Sequence, residues 1–168
     1  HSSAPRDEAI DVLCGPEFRI TDIDGDALAA WEATWGGVHP SGAGGWDWRA
    51  LAENLPRRAA ILPVAIWHGS DLCGLMLGQA SRARWNGSRH TVTLTYVERR
   101  AEPPPVPLRG RVIALAITIA RNYGLIVGAR RLCLRAPDRN LLPYYEMFGF
   151  RVAWKGNVPV HCEREIYP

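Results

Sequence analysis

The sequence predicts a mixed α/β domain: an antiparallel first half, a strand–helix–strand unit in the middle and two closing strands. Three observations carry that reading. Thr91-Val92-Thr93-Leu94-Thr95-Tyr96-Val97 alternates strictly with a period of two, the pattern of a half-buried strand. Residues 108–127 are apolar nearly all round, through Val112, Ile113, Leu115, Ala116, Ile117, Ile119 and Ala120, the pattern of a helix buried against a sheet. Residues 131–136 then return to a short strand-like run, so the helix is bracketed by strands.

The remaining elements follow in order. Residues 18–23 read as a first strand, and Asp24 as the N-cap of a helix through Leu28, Trp31 and Trp35. Residues 36–45 form a Gly-rich loop. Asp47 caps a second helix through Leu51 and Leu55, which Pro56 ends. Residues 61–68 and 72–80 are strands joined by a turn at Gly69-Ser70-Asp71, and Asn86-Gly87 is a tight-turn signal before the alternating strand. The proline run in residues 101–107 reads as a stiff extended connection. Gly128 suits the C-terminal cap of the long helix, and residues 140–148 read as a short helix ended by Gly149. Residues 150–154 and 160–166 are closing strands joined near Gly156-Asn157.

A chain of 168 residues, 47% hydrophobic and 22% charged, is long enough for one domain with a substantial core. Residues 1–15 read as a tag remnant or a disordered N-terminus, and residues 16–168 as the single domain. No apolar run approaches the length of a membrane span, so a membrane is not expected as a partner. The formal charge of +3 permits anionic ligands without arguing for nucleic acid. Arg82, Arg84, Trp85 and Arg89 form a basic, aromatic hairpin tip that reads as a solvated hairpin, with RNA or an acidic partner as the alternative. Cys14, Cys73, Cys133 and Cys162 contain no C-x-x-C pair and read as buried free thiols of a cytoplasmic protein. His39, His68, His90 and His161 have no ligand spacing either, so no metal is expected.

The chemistry concentrates at Pro107-Leu108-Arg109-Gly110-Arg111-Val112-Ile113-Ala114, the start of the long helix. A helix N-terminus presents free backbone N–H groups and the positive end of its dipole, which suits a pyrophosphate. Arg109 and Arg111 add charge, and Gly110 lets the backbone approach closely. About thirty residues later comes Tyr144-Tyr145-Glu146-Met147-Phe148-Gly149-Phe150.

A strand, R-G-x-x-x-A at a helix start, a second strand and Y-Y-E-x-F-G-F in this order resemble the GNAT family of acyl-CoA-dependent N-acetyltransferases. The resemblance covers roughly residues 60–154. It implies a mixed, mostly antiparallel central sheet of six to seven strands flanked by about four helices. The family pattern at the pyrophosphate loop is Arg/Gln-x-x-Gly-x-Gly/Ala; Arg109 and Ala114 fill its ends, and Val112 stands where the middle glycine is usual. The proline-rich insertion before Arg109 is longer than usual.

The resemblance implies acetyl-CoA or coenzyme A as co-substrate, held by Val97, Arg109, Gly110, Arg111, Val112, Ile113, Ala114 and Asn140. It implies Tyr145 as the residue beside the departing thiolate. The base is left between Glu98, which sits on the parity opposite to Thr91, Thr93 and Thr95, and a water held by those threonines. For the acceptor it points to Trp35, His39, Trp46, Thr93 and Thr95. The expected acceptor is a primary amine of a small molecule or of a peptide or protein, with the amino group of a charged tRNA left open, and the expected state is a monomer or homodimer. The competing reading is a catalytically degenerate GNAT-fold module that binds CoA or a partner protein.

Overall fold

The computed structural model describes residues 15, 17–35, 44–55, 60–81, 90–101 and 107–167. His39, most of the Gly-rich loop, the Asn86-Gly87 turn with its basic tip, Cys14 and the middle of the proline run lie outside the described residues. Seven strands form one sheet: β1 (Phe18–Thr21), β2 (Ala60–His68), β3 (Asp71–Ala80), β4 (Thr91–Arg99), β5 (Arg131–Arg135), β6 (Arg151–Lys155) and β7 (Val158–Glu165). Their order is β1-β2-β3-β4-β5-β7-β6. Only β4 and β5 run parallel. A parallel pair needs a crossover, and the long apolar helix supplies it. Four α-helices complete the described residues: α1 (Gly25–Thr34), α2 (Trp48–Glu53), α3 (Val112–Ile126) and α4 (Leu142–Met147), the last preceded by a 3-10 turn at Arg139–Leu141. The expected mixed, mostly antiparallel architecture is the one observed.

The caps read from the sequence are made. Asp24 Oδ1 accepts from the Ala27 amide at 2.9 Å, and Asp47 Oδ1 from the Ala50 amide at 2.9 Å. The long helix is shorter than its apolar run, because Pro107–Arg111 form turns and only Val112 begins the helix. The sheet separates two cores. On one face α3 buries Val112, Leu115, Ile117 and Ile119 against Val92, Leu94 and Leu132. On the other, α1 and α2 bury Leu28, Trp31, Trp35 and Trp48 against Trp67, Leu72 and Leu75. Each large apolar side chain so buried contributes about 1.5–3 kcal/mol relative to exposure.

The strict alternation read in β4 does not persist. Leu94 pairs with Gly78 and Tyr96 with Leu77, so Thr95 is an extra, bulged residue. Val92 and Leu94 point to the α3 core before the bulge, and Val97 does so beyond it. Tyr96, expected on the face of Val92 and Leu94, instead joins the α1–α2 core. The same inversion carries Glu98 to the α2 side. Counting parity from the sequence put Glu98 opposite the threonines; the inserted residue reverses that count.

No helix among the described residues is long and apolar enough to cross a membrane.

Candidate active site

The β4–β5 register ends at Leu94↔Leu134, although β4 runs on to Arg99. Beyond Leu94 the two strands part, and the gap opens into a cleft of about 900 Å³. One wall is β4 from Leu94 to Arg99; the other is the segment after β5, from Leu134 through Asp138 to Leu141 and Tyr145. Ala136, in that second wall, has φ 45°, the one positive value at a non-glycine among the described residues. Such strain costs about 1–3 kcal/mol and persists only where surrounding structure fixes it. Here the Ala136 amide donates to the Val160 carbonyl at 3.2 Å, tying the wall to β7.

The start of α3 closes one end of this cleft. Ile113 lines it, and with Arg109, Gly110 and Val112 also lines a smaller adjoining hollow of about 250 Å³. The first intrahelical bond runs from the Leu115 amide to the Arg111 carbonyl at 2.9 Å, so the amides of Val112, Ile113 and Ala114 precede the helical ladder. Leu108 is buried at 1% exposure and anchors the turn, while Gly110 takes φ 73°, which a side chain would strain. The Val112 side chain packs down onto the sheet. A Cβ at Gly74 would lie 2.5 Å from Val112 Cγ1, so the missing side chain at Gly74 makes the room that Val112 fills. Arg99 pairs with Gly74 and so projects on that same face, and it lines both hollows. The sequence reading passed over Arg99, because its position at the α3 start depends on the bulge.

Tyr145 is held on α4. The helix ends in a Schellman motif: the Phe150 amide donates to the Tyr145 carbonyl at 3.2 Å and the Gly149 amide to the Glu146 carbonyl at 2.9 Å. The Tyr145 ring stands edge-on to Phe150 at 6.3 Å. Burial pushes its phenol up to about 12, with the charges of Cys162 and Asp138 adding to the effect. Asn140 lines the same wall, and its amide donates to Asp138 Oδ1 at 2.9 Å.

On the α2 side of β4 stands Glu98, buried at 2% exposure. Its Oε2 accepts from Trp48 Nε1 at 2.6 Å, and its Oε1 from the Gly45 amide at 2.9 Å. Trp46 and Tyr96 meet edge-on at 5.3 Å beside it, and both line the cleft.

Of the residues singled out from the sequence, Glu98, Val97, Thr95, Trp46, Asn140 and Tyr145 line the one cleft, and Ile113 joins it to the helix start. Arg111 is the exposed N-cap of α3. Ala114 follows in its first turn, its carbonyl taking the Thr118 hydroxyl at 2.9 Å. Trp35, expected at the acceptor, is instead packed into the core at 3% exposure, and Thr93 lies on β4 before the bulge, outside the cleft lining. His39 lies outside the described residues. Burial raises the thiols of Cys73 and Cys133, which removes both as ready nucleophiles.

No protein-family model and no curated protein sequence matches the chain. Solved structures do. The ribosomal-protein-S18-alanine N-acetyltransferase of Escherichia coli superposes with a TM-score of 0.59 at 16% identity, covering 90% of this chain and 95% of that one. Ard1 of Thermoplasma volcanium gives 0.60 at 11% identity, over 90% and 99%. Arabidopsis thaliana Naa50, in complex with the bisubstrate analogue CoA-Ac-MVNAL, gives 0.59 at 9% identity, over 88% and 98%. The fold is that of the GNAT N-acetyltransferases. On this GNAT fold the parting of β4 and β5 is the site's scaffold, since it brings the α3 start, Tyr145 and Glu98 to one cleft.

Proposed function

We propose that the protein is an acetyl-CoA-dependent N-acetyltransferase acting on a primary amine of a small molecule or of a peptide or protein. One observation carries this reading: two adjoining hollows that share Arg99, Ile113 and Leu141 bring together the first turn of α3, the β4 edge left without a β5 partner and a buried carboxylate. Each part suits one part of the reaction. The amides at the α3 start, with Arg99, Arg109 and Arg111 around them, suit the pyrophosphate. The open edge of β4 around Val97 offers main-chain groups to the amide-bearing arm of CoA. The amine nitrogen attacks the thioester carbonyl, the C–S bond breaks, and acetyl passes to nitrogen as CoA leaves as a thiolate. Glu98 takes the proton that the amine gives up. The N-acetyltransferase names of the neighbouring folds, and the CoA–peptide analogue in one of them, support the same class of reaction.

With its phenol pushed up to about 12, Tyr145 is neutral throughout the physiological range. Full proton transfer from it to a thiolate of ordinary affinity, about 8.5, is uphill. Tyr145 therefore stabilises the leaving sulfur as a hydrogen-bond donor. Tyr145→Phe is expected to lower kcat about 100-fold and to leave acetyl-CoA affinity within about twofold. An unchanged kcat removes Tyr145 from the mechanism.

The reading is tested by titrating the protein with acetyl-CoA in a calorimeter and then following thiol release with a panel of amines. Failure to bind acetyl-CoA sinks it. Binding without thiol release across the panel favours a CoA-binding or protein-interaction module.

A further inference from the structure

Glu98 and Arg100 are the two buried charged residues among those described. Arg100 is engaged by Asp71 at 3.1 Å. Glu98 is engaged from a distant part of the chain, by the indole N–H of Trp48 at 2.6 Å and the amide of Gly45 at 2.9 Å. Trp48 opens α2 and is fully buried, and its ring is wedged edge-on between Trp46 at 6.3 Å and Tyr96 at 6.4 Å. An indole N–H only donates, so the Glu98 oxygen it meets is held as an acceptor. In a water-poor wall the hydrogen bond is not diluted by competing solvent.

We infer that Trp48 is a positioning residue for proton transfer: its indole N–H fixes the Glu98 carboxylate at the cleft and couples it to the segment that carries Trp46. The inference rests on the acyl-transfer reading for its catalytic half. The Gly45 amide holds one carboxylate oxygen and the Trp48 indole the other, which fixes the orientation of the Glu98 side chain in the cleft lining. The cleft lining also carries the ionisable groups of Tyr96, Arg99, Arg135, Asp138 and Tyr145. Asp47 caps α2 through Ala50, and the β3 residue paired with Glu98 is Leu75. Trp48 and Gly45 thus come from the start of α2 and the segment before it, so the carboxylate is tied to that segment.

The test has two readouts on the whole protein. In 15N-labelled protein the Trp48 indole resonance, assigned by its loss in Trp48→Phe, is expected to titrate with pH and to stop titrating in Glu98→Gln. A resonance indifferent to pH and to Glu98→Gln overturns the clamp, whatever the activity. The second readout is the pH profile of kcat/KM for the acceptor. Trp48→Phe is expected to move its acid limb upward by about one pH unit, the equivalent of losing one hydrogen bond to a charged group. Replacing Trp48 by 3-benzothienylalanine, which keeps the ring shape without the N–H, gives the same shift without the packing loss. Acid limbs identical to wild type in both variants overturn the positioning role. Absence of thiol release by the wild type with every amine overturns the catalytic half together with the acyl-transfer reading, while a titrating indole still upholds the clamp.

Discussion

Glu98→Gln is expected to lower kcat/KM for the acceptor about 100-fold or more at neutral pH, with acetyl-CoA affinity within about twofold of wild type. Glutamine has the same shape and can still accept the Trp48 N–H through its carbonyl oxygen. Its amide nitrogen then faces the Gly45 N–H, donor against donor, where Glu98 Oε1 now accepts at 2.9 Å. That mismatch costs about 1–3 kcal/mol of stability. The two consequences separate cleanly. A purely structural Glu98 gives a lowered Tm with normal turnover per folded molecule. A proton acceptor gives lost turnover at temperatures where the variant is fully folded. Steady-state kinetics beside a thermal melt decide between them, and normal turnover rules Glu98 out as the base.

How far the site could be read from the sequence follows from the range of the interactions that build it. Local signals were legible. Asp24 and Asp47 stand where N-caps belong, Gly149 stands where α4 must stop, and the Arg109–Ala114 motif marks a helix start whose amides lie ahead of the helical ladder. Each depends on neighbours within a few residues. The bulge at Thr95 is different, because it exists only in the pairing of β4 with β3. Period-two counting has no access to it, and every face assigned beyond Thr95 was inverted, Tyr96 and Glu98 included. The Trp48–Glu98 bond joins residues 50 apart in the chain, and nothing near Trp48 marks it as other than a core tryptophan. Trp35, with the same local look, proved to be core. A glutamate at the end of an alternating strand is the sequence feature that invites a search for such donors.

The departure of Val112 from the family glycine is likewise settled by a residue far from it. Gly74→Ala is expected to destabilise the protein by about 1–3 kcal/mol, the usual cost of overpacking, and to weaken acetyl-CoA binding about tenfold. The added Cβ would lie 2.5 Å from Val112 Cγ1 and 3.3 Å from the Glu98 carbonyl. The carbonyl belongs to the β3–β4 ladder and cannot give way. Val112 is β-branched with one strongly favoured rotamer in a helix, so it cannot swing aside either. The strain therefore falls on the first turn of α3, which must lift from the sheet and carry the amides of Val112, Ile113 and Ala114 with it. Val112→Ala in the Gly74→Ala background removes the clashing methyls and is expected to recover both stability and affinity. A double-mutant cycle should give a coupling of about 1 kcal/mol or more between these positions. Strict additivity would mean that the sheet absorbs the new methyl. A destabilised Gly74→Ala protein that binds acetyl-CoA as wild type does would detach the α3 start from the cofactor. Recovery of both in the double variant would identify Gly74 as the residue that lets a valine stand in the glycine place of the loop.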